Sequence, residues 1–332
     1  MTETYRAMVC RRLGPPEVLE GAQLARRGLQ PGEVRVAIRA AGVNFPDLLQ
    51  VAGEYQHKPP LPFVPGLEAA GEIVETAADV SGYKPGDAVI LRLRGGAYAE
   101  EAVVKAATLL RKPEDWSFEE AAAFPVGAVT AWTALVYRGR LQPGETLLVL
   151  GAGGGTGLAA VSLGASLGAR VIAVASSAEK RAIAQSAGAG LSLDPAQPDW
   201  WQDVRADVVF DPVGGALFET AFRALAPGGR WLVVGFAGGA APSPPANRLL
   251  LREAELIGVR AGEQGRRDPA AGAEQEKALR EWLISSPSIG GPSVGSQGRP
   301  RLGAVYQLDQ AGAALRRMAE RQAIGKIVLR VG

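Results

Sequence analysis

Five glycines fall within the seven residues Gly151–Gly157, between the apolar run "TLLVL" (146–150) and the small-residue run "TGLAAVSLGASLG" (156–168). Such a loop leaves backbone N–H groups uncovered, so that a pyrophosphate can approach them, and a helix starting just beyond adds a field favourable to anions. The spacing G-x-G-x-x-G is not met from Gly151, because its sixth position is Thr156. Shifted by one residue, Ala152, Gly154 and Gly157 give an alanine-led variant, with Gly153, Gly155 and Thr156 filling the loop. A strand before the loop and a helix and strand after it favour a dinucleotide cradle over a plain turn.

The end of the next apolar strand, "RVIAVAS" (170–176), bears on which dinucleotide binds. An NAD site usually carries an acid there, accepting from the ribose 2′-OH. Ala175, Ser176 and Ser177 supply none, and Lys180 and Arg181 follow within a turn. Hydroxyls and cations suit a 2′-phosphate, so Ser176, Ser177 and Lys180 point to NADPH. Two cations in that place also suit the solvated face of a helix. Phe236 and Gly238 follow the strand within "RWLVVGFAGG" (230–239) and are expected to flank the cofactor, in a place where an ordinary strand end would look alike.

These residues need a scaffold. The first third is β-rich: "EVRVAIRAAGV" (33–43) sets Val34, Val36 and Ile38 on one face and Arg35, Ala37 and Arg39 on the other, a half-buried strand. Strand, turn and strand follow across 71–91, turning at "KPGD". Near residue 125 the rhythm changes to buried strands alternating with helices: 146–151, 156–168, 170–176, 177–188, 206–215, 216–229 and 230–239. That alternation predicts a doubly wound parallel sheet. A last strand at 255–260, a helix around 269–284, a Ser-Gly-Pro surface loop at 285–300, a helix at 308–323 and a strand at 325–331 complete the chain.

Composition excludes several classes. The net charge is +2 from 36 basic and 34 acidic residues, which gives no footing to a nucleic-acid partner. Cys10 is the one cysteine and His57 the one histidine, so no internal disulfide forms. The N-terminus lacks a basic head with an apolar core, and no apolar run reaches the roughly 18 residues of a membrane span, so a cytoplasmic location is expected.

The order of a small β domain, a nucleotide domain and a return to the first resembles the medium-chain dehydrogenase/reductase superfamily, and within it the zinc-independent NADPH:quinone oxidoreductases. The stretches that carry the resemblance are "AGVNFPDLLQVAGEY" (41–55), "KPPLPFVPGLEAAGEIVE" (58–75), "GGAYAEEAVV" (95–104), "AAAFPVGAVTAWTAL" (121–135), "LQPGETLLVLGAGGGTGLAAV" (141–161), "VVFDPVGG" (208–215) and "AIGKIVL" (323–329). It implies an α/β two-domain protein: a GroES-like β-barrel catalytic domain (1–124 and 265–332) and a Rossmann domain (125–264), with the active site in the cleft between them. Zinc alcohol dehydrogenases carry Cys where this chain has Asn44 and His where it has Leu67. Glu68 alone is retained, and a lone carboxylate is no zinc site.

The resemblance further implies that Asn44, Asp47 and Tyr55 line the nicotinamide pocket. Asn44 would orient the acceptor oxygen and Tyr55 would place or protonate it, with solvent as the other proton source. Asn44 and Asp47, beside Pro46, also suit a helix start. Thr130 resembles the family's nicotinamide-side threonine, although a helix hydroxyl bonded to its own backbone would look the same. Arg321 stands where relatives bring an arginine to the 2′-phosphate, a place where an exposed helix arginine would look alike, and Lys326 is open between the same two readings. Pro195 replaces a tyrosine often found near the adenine ribose. The expected reaction is hydride transfer to a quinone or other conjugated carbonyl, in a homodimer paired along the strand at 255–260. Two alternatives stay open: an enoyl or acryloyl reductase, which would need cations such as Arg248, Arg252 or Arg260, and a non-catalytic NADPH-binding protein.

Overall fold

The structure, a computed structural model, describes residues 3–284 and 298–332. Most of the expected Ser-Gly-Pro loop (285–297 of 285–300) lies outside the described residues. The chain divides into two units, Met1–Val126 with Leu302–Gly332, and Gly127–Arg301.

In the first unit, β1 (Thr4–Cys10) and β2 (Leu19–Ala25) form an antiparallel ribbon, bridged to its surroundings at Ala7–Ala99 and Cys10–Phe63. The larger sheet is organised by β3 (Glu33–Val43), long enough to serve three partners. Its first half pairs with β6 (Glu101–Lys105), its second half with β15 (Lys326–Arg330), and β4 (Glu68–Thr76) runs along the other edge. With β5 (Ala88–Arg92), β7 (Leu110–Arg111) and β14 (Leu302–Gln307) the order is β14-β15-β3-β4-β5-β7. Helices α1 (Phe45–Ala52), α2 (Phe118–Ala122) and α10 (Ala311–Ala319) accompany it.

Val34, Val36 and Ile38 enter the core of this unit as their alternation requires. Arg35, expected on the solvent face, is buried instead, because charge partners surround it. Its Nε donates to Glu75 Oε2 at 2.8 Å, its Nη2 donates to Arg27 O at 2.6 Å, and Glu101 Oε2 lies 3.7 Å from Nη1.

In the second unit six strands lie parallel: β8 (Thr146–Leu150), β9 (Arg170–Val174), β10 (Leu191–Leu193), β11 (Ala206–Asp211), β12 (Leu225–Val233) and β13 (Glu255–Gly258). Their order, β10-β9-β8-β11-β12-β13, reverses direction between β8 and β11, the switch point at which doubly wound sheets hold ligands. Helix α3 (Pro125–Trp132) starts at the division and runs into a π-helical turn (Thr133–Arg138). Helices α4 (Gly155–Ser166), α5 (Ala178–Ser186), α6 (Ala216–Ala221), α7 (Ala246–Arg252), α8 (Gln264–Arg267) and α9 (Pro269–Ile284) follow. Phe218, Phe222 and Trp231 fill one core of this unit, Phe218 edge-on to Trp231 at 4.9 Å.

Two boundaries differ from the sequence reading. The helix expected over 216–229 stops at Ala221, and β12 begins at Leu225. Pro227 cannot continue a helix. Gly228, at φ +71°, and Gly229 are taken up by a register shift against β11. The return to the first unit comes at 302 rather than 265. Helix α9 stays with the second unit because Gln275, buried, donates from Nε2 to Thr133 Oγ1 of the π turn at 2.7 Å.

Strands β3 and β4 approach closely at one glycine. A Cβ on Gly71 would lie 2.0 Å from Ala37 O. Gly71→Ala must therefore push two core strands apart, and a loss of at least about 2 kcal/mol is expected from such overpacking. A thermal unfolding midpoint equal to that of the parent chain would contradict this.

Candidate active site

The glycine loop leaves β8 at Gly151, whose φ of +62° turns the chain, and Gly154 caps α4 in extended conformation. Two of the remaining glycines have a steric reason of their own. A Cβ on Gly157 would lie 2.3 Å from Gly151 O, so only glycine lets α4 start so close to the strand. A Cβ on Gly153 would lie 2.5 Å from Lys180 Cβ, because the lysine stem crosses the loop. Gly154 meets nothing nearer than Gly151 O at 3.6 Å, and this is the open side of the cradle. A backbone shaped this way at a helix N-terminus fits a dinucleotide pyrophosphate.

Around it gather other strand ends. A Cβ on Gly151 would lie 2.8 Å from Val213 Cγ2, and Gly238 N donates to Val213 O at 2.6 Å. The loop after β11 is held by Asp211, which is buried and accepts from Val213 N, Gly214 N and Trp231 Nε1 at 2.9, 2.8 and 3.2 Å. Burial raises the Asp211 carboxyl against those donations. Within this arrangement Gly238 packs beside the loop, and Phe236 stays half exposed near Gly214. Thr130 is buried on α3, one turn beyond Gly127, whose Cβ would lie 3.5 Å from Gly155 O.

At the end of β9 the expected residues divide. Ser176 is exposed. Ser177 caps α5, its hydroxyl accepting from Lys180 N at 3.2 Å. Lys180 keeps its stem on Gly153, and burial lowers its pKa. Arg181 is tied down: Nη1 donates to Ala175 O at 2.9 Å and pairs with Asp194 Oδ2 at 2.9 Å. An acid thus reaches this place from the end of β10, which a scan of 175–177 alone misses. Arg321 falls in the first unit, exposed beyond α10 in a left-handed conformation of φ +58°.

The first unit holds a second constellation. Asn44 precedes α1 and is buried. Its Nδ2 donates to Glu68 Oε1 at 2.9 Å and reaches Gly42 O only at 3.4 Å, while its Oδ1 accepts from Lys326 Nζ at 2.6 Å. Lys326 Nζ also lies 2.5 Å from Glu68 Oε1, and Val126 N donates to Glu68 Oε2 at 2.7 Å. All of this is packed against Gly42, where a Cβ would stand 2.3 Å from Glu68 Oε1.

Asp47 stands behind this group rather than lining a pocket. It is fully buried, and its Oδ2 accepts from Asn44 N at 2.8 Å and from the Tyr98 hydroxyl at 2.9 Å, the helix-start role of a capping acid. The expectation that Asp47 faces substrate is replaced by one in which it positions Asn44. Tyr55 is half-buried just past α1, its N–H donating to Leu49 O at 3.1 Å. The sequence alone assigns no role to Tyr98 or Asp211, and it does not bring Glu68 and Lys326 together. The signal that could have found three of them is a charged residue at the end of an apolar strand: Glu68 opens β4, Lys326 opens β15 and Asp211 closes β11, whereas Tyr98 lies outside the strands.

Residues 30–114 match the family model described as alcohol dehydrogenase GroES-like domain, and residues 155–275 match that described as zinc-binding dehydrogenase. Over 335 residues the chain is 37% identical to quinone oxidoreductase-like protein 2 of Mus musculus, covering 98% of this chain and 92% of that protein. A probable oxidoreductase from Mycobacterium abscessus superposes with a TM-score of 0.85 at 35% identity, covering 99% of this chain and 100% of that one. The quinone oxidoreductase from Thermus thermophilus, whose structures include a complex with NADPH, superposes with a TM-score of 0.81 at 33% identity, over 98% and 99% of the two chains. The first unit is thus a GroES-like domain and the second a Rossmann domain, the architecture of nicotinamide-dependent oxidoreductases. The chain belongs to the medium-chain dehydrogenase/reductase superfamily and, within it, to the quinone oxidoreductase-like family.

The zinc in one family description finds no matching donors at this locus. Asn44 and Leu67, at the positions where the resemblance implies the Cys and His of the zinc enzymes, are neither, and the Glu68 carboxylate is taken by an ammonium group at 2.5 Å. Zinc requires about three Cys, His or carboxylate ligands.

The Asp47 carboxyl is pushed up from 3.8 to about 7, first by burial and against the donations from Asn44 and Tyr98. A raised carboxyl pKa means that the folded state binds the proton more tightly than the unfolded chain. The stability it contributes is full below about pH 4 and is lost as pH rises through about 7. The unfolding midpoint should therefore fall between those values in the parent chain and flatten in Asp47→Asn. Equal pH slopes for the two proteins would refute the assignment.

Proposed function

We propose that this protein is an NADPH-dependent, zinc-independent reductase that passes hydride to a quinone or another conjugated carbonyl, acting on a small molecule in the cytoplasm. The observation that carries the reading is the buried carboxamide of Asn44, set by Glu68 and Lys326 at a locus whose one carboxylate is already paired with an ammonium group. When bound, the nicotinamide supplies the hydride. The Gly151–Gly157 loop and the start of α4 would hold the pyrophosphate. Ser176 and Lys180 would face the 2′-phosphate, and Thr130, Phe236 and Gly238 the nicotinamide half. The NADPH complex of the Thermus thermophilus relative supports this cofactor.

Negative charge develops on the acceptor oxygen as hydride adds, and a fixed donor at that oxygen stabilises it. One Nδ2 hydrogen of Asn44 is held by Glu68. The other has only the 3.4 Å contact to Gly42 O, so an acceptor oxygen can take it. Tyr55 is the proposed source of the final proton. The enoyl or acryloyl alternative asked for cations at 248, 252 and 260. Arg248 pairs with Glu219 at 2.7 Å, Arg252 donates to Leu225 O and Arg223 O, and Arg260 lies 3.5 Å from Glu263. These engagements favour an uncharged acceptor.

The test is NADPH and NADH consumption with a panel of quinones and α,β-unsaturated carbonyls. NADPH should be preferred, with at least one acceptor reduced. Gly154→Val, at φ −91°, should fold normally yet lose at least about tenfold in dinucleotide affinity by filling the open side. Tight NADPH binding with no acceptor reduced would refute the catalytic reading, and a preference for NADH would refute the cofactor reading.

We further propose a homodimer paired along β13, the edge strand next to β12. Leu256 on that strand and Leu250 and Leu251 on α7 are exposed, the last by 81%. An unpaired apolar edge favours pairing with a second copy. Light scattering should give twice the chain mass, and Leu256→Lys should shift it toward one; a monomeric parent chain would end the proposal.

A further inference from the structure

Lys326 reaches the Asn44 carboxamide from the first position of β15. Its side chain is nearly inaccessible, as is that of Glu68, and it ends on two atoms, Glu68 Oε1 at 2.5 Å and Asn44 Oδ1 at 2.6 Å. A buried lysine facing one buried carboxylate would be sufficient for charge balance, and the second contact adds something. A carboxamide is nearly symmetric in shape, and only its partners decide which end is oxygen. An ammonium group can only donate and a carboxylate can only accept. Between them, Asn44 has one permitted orientation, Oδ1 toward Lys326 and Nδ2 toward Glu68. A cation on the carbonyl oxygen also draws electron density from the amide nitrogen, which strengthens its N–H groups as donors.

Gly42 and the backbone reinforce the arrangement. The absent Cβ at 42 leaves the space that Glu68 occupies, and Val126 N fixes the second carboxylate oxygen at 2.7 Å. Lys326 opens β15, whose pairing places Ile327 opposite Val43, immediately before Asn44. The strand register thus delivers the cation to the amide.

We propose that Lys326 is a positioning residue of the acceptor site. Its ammonium group locks and polarises the Asn44 carboxamide, and so performs with a protein cation the task that the zinc enzymes give to a metal ion at the corresponding locus. The part of this that concerns turnover rests on the reductase reading above; the part that concerns Asn44 does not.

The sequence contains two asparagines, Asn44 and the exposed Asn247, so [15N]asparagine labelling of the full chain isolates the side-chain amide in question. In the parent chain the Asn44 Nδ2 protons should be shifted and slow to exchange. In Lys326→Met they should move toward the Asn247 values and exchange at least about tenfold faster. Lys326→Arg, which keeps the charge, should stay close to the parent. Because Lys326→Met leaves Glu68 unpaired and could unfold, Glu68→Gln/Lys326→Met provides the same removal without a stranded charge. In kinetics, kcat for the best acceptor should fall on the order of 100-fold in the methionine variants, the scale of losing one tuned donor. The dinucleotide Kd should stay within about twofold, since the cradle lies in the other unit.

An unchanged Asn44 resonance and exchange rate in both methionine variants would overturn the proposal. So would a kcat within about threefold of the parent. Should the parent chain reduce no acceptor at all, the reductase reading fails by itself, and the Asn44 spectra still decide the role of Lys326.

Discussion

Glu68 carries a carboxylate into the interior of the first unit, and the surrounding chain is arranged to meet it. Desolvating an ion there costs several kcal/mol unless donors replace water. Three donors do so: the Lys326 ammonium, the Asn44 amide and the Val126 N–H. They come from residues 326, 44 and 126, so the requirement reaches across most of the chain. It gives a physical reason for the discontinuous first unit, because the cation that balances Glu68 arrives only with β15, after the whole second unit has been traversed. It also fixes Gly42, since any side chain there would displace the carboxylate.

The second unit depends on a different constraint, close approach of backbone to backbone. Gly157 lets α4 start against the Gly151 turn, and Gly153 lets Lys180 cross the loop. Here the same residue type serves separate ends within a few positions. One glycine turns the chain, two make room for protein, and Gly154 meets nothing nearer than Gly151 O at 3.6 Å. The buried Asp211 plays the organising part that Glu68 plays in the other unit. It gathers two backbone N–H groups and an indole, and so holds the loop that touches Gly151.

What was legible in the sequence follows from these constraints. Patterns that act locally could be read: the all-buried run 146–150, the glycine loop, the alternation of strands and helices, and the helix start at Asn44 and Asp47. Patterns that depend on distant partners could not. Arg35 alternates like a solvent-facing residue, yet Glu75 and Glu101 draw it inside. Asp194 is nineteen residues beyond Ala175, and only the pairing of β10 with β9 brings its carboxylate to Arg181. The stretch after 265 reads as a polar helix and a Ser-Gly-Pro loop, and the Gln275–Thr133 hydrogen bond ties its helix to the second unit. Asp47 shows the limit most clearly. Its helix-start signal was visible and correct, but the depth of its burial and its bond to Tyr98 were not, and these make it a support rather than a contact.

On the function proposed here, a lysine–glutamate–asparagine group in place of metal ligands also bears on reaction type. A Lewis acid polarises an unactivated oxygen strongly. A hydrogen-bond donor, even one sharpened by a neighbouring cation, does less. Conjugation in the acceptor makes up part of the difference, because the charge that follows hydride addition is already delocalised toward oxygen. A quinone or enone asks for a fixed donor of modest strength, whereas a simple alcohol would first have to lose its hydroxyl proton. On that proposal, the neutral Asn44 carboxamide, with ions on either side, is matched to the first demand and poorly matched to the second.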